Sequence, residues 1–181
     1  MNAPRTTPRA RHAFTIVEAV TVISILGAIG SVISGLVFAA ARSYADASAS
    51  AQLQAELSTA MARMMRELRY IPVDPNSAPL VPRIDSVTPA SIAWNSNNSL
   101  SVNGGQVQLV LAGGAPELLL QNVTVFTIST FDQDDAALGG TLAGSACFPV
   151  RRVEVLASIS RNGKTETLRS RVFLRGLMAG S

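Results

Sequence analysis

The sequence predicts an α+β fold in which one long N-terminal helix packs on an antiparallel β-sheet domain. Three observations predict it. From Phe14 to Ala41 the chain is apolar and Glu18 is its only charge. Beyond that run, Leu53, Leu57, Met61, Met64, Leu68 and Ile71 recur at steps of three and four, which marks a single helical stripe. From about Ile84 the apolar period becomes two, as in half-buried strands.

Residues 1–13, MNAPRTTPRARHA, are basic and proline-containing with no acidic residue, and read as a leader with no fold of its own. Basic residues ahead of an apolar segment place the N-terminus in the cytoplasm and the rest outside. Arg5, Arg9 and Arg11 account for the whole net charge of +3 left by 15 basic and 12 acidic side chains. The high isoelectric point therefore gives no ground for a nucleic-acid-binding surface, and none is predicted. As a helix, residues 14–41 would be roughly 42 Å long, enough to cross a hydrocarbon core of roughly 30 Å. The run also exceeds the roughly 7–15 residues of a secretory signal core, so it is expected to be kept as a membrane span. Small residues at Ala39, Ala40 and Ala41 offer the competing reading, a cut after the apolar stretch.

Residues 42–71 form the amphipathic half of the same helix. Alanine and methionine favour it and no proline interrupts it before Pro72. A helix from Phe14 to about Tyr70 would be roughly 85 Å long. Pro72, Pro75, Pro79 and Pro82 then make residues 72–83 an extended connector.

Residues 84–181 are expected to be a β-sheet domain of five to seven strands. Short strands are predicted at Ser91–Asn95, Ser99–Val102, Gln106–Ala112 and Glu117–Gln121, with the pairs Gly104-Gly105 and Gly113-Gly114 between them. Val123–Phe131 is a longer strand rich in β-branched and aromatic residues, followed by a polar loop from Asp132 to Pro149. Val153, Val155, Ala157 and Ile159 then alternate with polar positions, and Leu168, Val172 and Leu174 resume the pattern after Asn162-Gly163. Asn-Gly suits a two-residue turn whose central residues both need positive φ, so this unit is a hairpin. The Leu53–Ile71 stripe and the apolar sheet face each need covering and are expected to cover each other.

Several functions are disfavoured by composition. Cys147 is the only cysteine and His12, in the leader, the only histidine. An intrachain disulfide, a thiolate zinc site and a histidine-dependent triad are therefore impossible downstream. With no nucleophile motif or paired carboxylates, no enzyme is predicted.

The string A-F-T-I-V-E, Ala13 to Glu18, with its short basic leader and long apolar run, resembles the processing site of type IV prepilins and type II secretion pseudopilins. The resemblance implies that a prepilin peptidase cuts between Ala13 and Phe14 on the cytoplasmic side of the bacterial inner membrane and N-methylates Phe14. It also implies assembly into a filament, with Glu18 of one subunit neutralising the Phe14 amine of a neighbour. Physical chemistry fits that role. A carboxylate in lipid must be paired or lie near the interface, a liberated α-amine is largely protonated at neutral pH, and opposite charges attract strongly in low dielectric. Val20, Val22, Ile25, Leu26, Ile29 and Val32 would supply apolar packing, while Gly27, Gly30, Ser31, Ser34 and Gly35 permit close helix approach. Ala13 stands where the family usually has glycine, and Gly35 where many major pilins have proline.

Downstream, MMRELRYI, NVTVFTISTFDQDD and VRRVEVLASIS…LRSRVFLRG are similar to J-type minor pseudopilins and W-type minor pilins. That implies a subunit of the filament tip or initiating complex, with other minor and major (pseudo)pilins and an inner-membrane assembly platform as partners. The competing class is a single-pass anchored periplasmic β-domain that binds a ligand and does not polymerise. Three local features have plainer readings. Asp132, Asp134 and Asp135 offer oxygens suited to calcium, but without EF-hand spacing a solvated turn is the better reading, so no cofactor is predicted. Arg151, Arg152, Arg169, Arg171 and Arg175 read as a solvated or salt-bridged sheet face. Trp94 reads as a core or interface aromatic.

Overall fold

Helix α1 runs Ile16–Arg69 and stops where Ile71 precedes Pro72, since a residue before proline is pushed out of the α region. The computed structural model describes residues 15–176, so Ala13 and Phe14 lie outside the described residues. The chain divides into two units, residues 1–46 and 47–181. In the first unit no described residue is buried. In the second, Leu53, Leu57, Ala60, Met61, Met64, Met65 and Leu68 of α1 are buried, and Ile71 follows them. The predicted stripe is present, widened by Ala60 and Met65.

The connector is more structured than expected. Within it β1 (Val73–Asp74) and β2 (Val81–Pro82) pair as a small antiparallel ribbon. Then follow β3 (Ile84–Thr88), β4 (Ser91–Trp94), β5 (Asn98–Asn103), β6 (Gln106–Val110), β7 (Glu117–Leu120), β8 (Val123–Phe131), β9 (Leu142–Ala143), β10 (Arg152–Arg161) and β11 (Lys164–Phe173). The predicted strands agree in place, but they do not form one sheet. Six lie in the order β7-β6-β5-β4-β3-β9 and three in the order β11-β10-β8. The break falls between β7 and β8, where Asn122 takes φ 56°. That left-handed residue redirects the chain, and β8 leaves its sequence neighbour to pair with β10. The polar loop after β8 also holds more than predicted. It contributes β9, paired with β3 at Val87↔Leu142, and a 3-10 turn at Gly144–Cys147 that buries Cys147.

Both sheets share one core with the buried part of α1. Ile92, Trp94, Leu100, Val107, Leu109 and Leu120 come from the six-stranded sheet, and Ile128, Val153, Val155, Ala157, Ile159 and Val172 from the three-stranded one. Trp94 is a core residue, as expected. Ion pairs flank this packing at Arg161–Glu56 (3.1 Å) and Arg63–Glu117 (3.5 Å), each joining α1 to a strand. A long apolar N-terminal helix followed by antiparallel sheets is a pilin-like architecture.

The final hairpin closes as the sequence requires. Arg161 faces Lys164, and Asn162 and Gly163 have φ 52° and 76°. A Cβ at Gly163 would meet no neighbour, so the cost of Gly163→Ala is purely conformational, about 1 kcal/mol. A chemical denaturation midpoint lowered with an unchanged slope would verify it; an unchanged midpoint would count against this turn.

Candidate functional site

The first candidate surface is the apolar part of α1. Thr15 starts it. Its carbonyl accepts the Ala19 N–H at 3.1 Å, and its Oγ1 accepts the Glu18 N–H at 3.3 Å. Thr15 is thus an N-cap satisfying one of the free amides of the first turn. The pattern Thr-x-x-Glu is the capping-box signature. The signal is local and legible in T-I-V-E, and it adds a third role for Glu18 beside reaching the membrane interface and pairing with another subunit. The cap and the favourable helix dipole account for a carboxylate at the helix start.

Beyond Glu18 the helix presents large apolar side chains on all sides. Val20, Ile23, Leu26, Val32, Leu36 and Phe38 are each more than half exposed. The hydroxyls within this surface are internally satisfied. Thr21 donates to the Val17 carbonyl (2.8 Å), Ser24 to Val20 (2.9 Å), Ser31 to Ala28 (2.8 Å) and Ser34 to Gly30 (2.8 Å). Such back-bonding leaves no hydroxyl donor unmet where water is absent. Gly27, Gly30 and Gly35 have open space where a Cβ would stand. The helix is long and apolar enough to cross a membrane, which fits a single-pass anchor or a signal sequence.

The second candidate surface is the outer face of β8, β10 and β11, centred on Glu154. Its carboxylate is buried, yet Arg169 Nη2 lies 2.5 Å from Oε1 and Arg171 Nη2 2.9 Å from Oε2. Arg171 Nε also donates to Oε2 at 3.0 Å. Burial pushes the Glu154 carboxyl up, but the hydrogen bonds and charges of Arg169 and Arg171 outweigh it and hold it below the usual carboxylate range. Arg171 Nη1 reaches on to Asp135 at 2.8 Å, and Arg152 pairs with the same carboxylate. Arg152 stacks over Phe173 at 4.3 Å and Arg171 over Phe131 at 4.0 Å, so the guanidinium planes are covered by rings.

The salt-bridged reading of the arginine strip therefore holds for Arg152, Arg169 and Arg171. Arg151 instead donates to the Phe148 and Val150 carbonyls (2.7 and 3.1 Å), and Arg175 donates to the Tyr70 hydroxyl (3.3 Å). Of the three aspartates that offer oxygens for calcium, Asp132 and Asp135 are engaged separately. Asp132 Oδ1 accepts the Asp134 and Ala136 amides, each at 2.9 Å, while Asp135 serves the arginines. Among the described residues no group of three or more His, Cys, Asp or Glu is placed to hold a metal. Sequence reasoning missed Glu154, although the turn located it. Once Arg161 faces Lys164, counting back along both strands puts Glu154 opposite Arg171.

Cys147 is buried and free; burial, helped by the Asp85 charge, raises its thiol pKa, which suits an inert core thiol. No protein-family model matches the chain, and no curated protein matches it.

Proposed function

We propose that the chain is a minor pilin-like subunit, of the J-type pseudopilin or W-type minor pilin kind. A prepilin peptidase cuts it between Ala13 and Phe14 and methylates the new terminus. The subunit then assembles in the inner membrane into the tip or initiating complex of a type II secretion pseudopilus or type IV pilus. The observation that carries this reading is the unburied apolar length of α1 from Ile16 to Phe38, with Glu18 as its only charge. A helix that is apolar on every side needs lipid or other such helices around it.

Lipid satisfies that need before assembly and neighbouring subunits satisfy it afterwards. Van der Waals packing between spanning helices is non-directional, so it does not fix their axial offset. A Glu18–amine pair rewards one offset and acts as a register device. The cap at Thr15 holds Glu18 in the first turn of the helix.

Mass spectrometry of the protein from its native membrane tests the processing step. An N-methylated Phe14 is expected; an intact leader, or a start after Ala41, would remove the filament reading in favour of an anchored or secreted β-domain. Glu18→Ala is expected to insert into the membrane normally while losing incorporation into the filament, measured by co-purification with the other subunits. Undiminished incorporation would refute the register role.

A further inference from the structure

We propose that the open edge of β11 receives an extended acidic segment of a partner protein, added as a fourth strand to the three-stranded sheet. This goes beyond the proposed function, because the edge belongs to the β-domain whether or not the chain enters a filament.

The backbone supplies the first argument. Among the described residues β11 pairs with β10 alone, which leaves its other side unpartnered in the sheet. The Leu174 N–H donates to the Arg151 carbonyl, and alternate residues of an antiparallel strand bond to the same neighbour. The even-numbered positions of β11 therefore bond inward to β10. Thr167, Arg169, Arg171 and Phe173 are left with N–H and C=O directed at the open edge. That array matches another strand, whereas a phosphate polymer has no alternating donors and acceptors to offer it.

Shape and charge supply the rest. Along this edge runs a cavity of about 470 Å³ between α1 and β11, lined in part by Met61, Met65, Tyr70 and Leu168. Arg69 joins it to a second, of about 360 Å³, lined also by Phe173 and Arg175. The cations along the groove outnumber their carboxylates. Glu154 is shared by Arg169 and Arg171, the latter also meeting Asp135, and Arg66 shares Glu67 with Arg63, which also meets Glu117. Among the described residues Arg175 meets only Tyr70, by its hydroxyl and ring. Among the described residues Arg69, which lines both cavities, has no hydrogen-bond or ion-pair partner. A strand's side chains alternate between faces. An incoming segment that sets carboxylates on the side of Arg169 and apolar groups toward Met61, Met65 and Leu168 complements both.

The test uses the full chain in detergent micelles and fluorescence anisotropy of a labelled nonapeptide that alternates glutamate and valine. Saturable binding is expected, about tenfold tighter than that of the lysine–valine peptide. A glutamate–valine peptide N-methylated at alternate amides keeps its charge but loses strand pairing, and should also bind about tenfold more weakly. The Arg69→Glu/Arg169→Glu double variant should weaken the parent peptide by a similar factor, with an unchanged Trp94 emission spectrum as the check that the β-domain is folded. Absence of binding overturns the proposal. So does equal binding of the N-methylated peptide, which needs only the unaltered protein. Equally effective displacement by a single-stranded oligonucleotide or by phosphatidylglycerol vesicles would also overturn it, showing a generic polyanion surface.

Discussion

Leu68→Ala should lower the stability of the β-domain by about 3 kcal/mol and its thermal midpoint by roughly 10 °C. Leu68 lies at the C-terminal end of α1 with no exposed surface. Truncating it removes apolar burial and leaves a void that packed neighbours refill only in part. Trp94 is the only tryptophan and is buried in the same core, so its fluorescence follows this unfolding transition without labelling. The matching control is Leu26→Ala. Leu26 is 62 % exposed in the first unit, and its truncation should leave the Trp94 transition where it was. A shift of equal size for both variants would mean that the helical stripe is not what holds the β-domain together.

Glu154→Gln should cost about 2 kcal/mol, because charge-assisted hydrogen bonds to Arg169 and Arg171 are replaced by weaker ones. It should also change the acid limb of the stability profile. In the unfolded chain Glu154 has an ordinary carboxylate pKa, while in the folded chain its arginines hold it lower. Above the ordinary value the carboxyl is ionised in both states and its contribution is fully present. As the pH falls below that range the unfolded chain takes up the proton first, and the contribution is lost on the way down through the folded value. The wild-type chain should therefore lose stability below roughly pH 5 faster than Glu154→Gln, with the two curves converging in acid. Parallel curves in urea titrations at successive pH values would show that the arginines do not hold this carboxylate ionised.

These two sites differ in how legible they were. The stripe holding Leu68 is written in local spacing: steps of three and four put one set of side chains on one side of a helix whatever lies opposite. The hairpin holding Glu154 was legible too, because Asn162-Gly163 fixes the turn, and the turn fixes which residues face each other. What was missed there was a count along two strands. The small elements are a different case. Nothing in Leu142-Ala143 or in the Val73–Pro82 ribbon distinguishes a two-residue strand from a loop: two residues are too few to show an alternation, and Leu142-Ala143 is held by a partner distant in sequence.

By itself, then, the amino-acid order determined the α+β class, the long helix with its apolar and amphipathic halves, the place of every longer strand except β3, and the final turn. All of these follow from contacts between near neighbours. Only the tertiary structure decided that the strands divide into a six-stranded and a three-stranded sheet. It also decided that Asp135 serves Arg152 and Arg171 instead of clustering with Asp132 and Asp134, and that β11 ends its sheet beside α1. Alternation says which side of a strand is apolar but not which strand lies next to it. That choice falls at Asn122, a left-handed residue between β7 and β8, and rests on the shared core both sheets must fill.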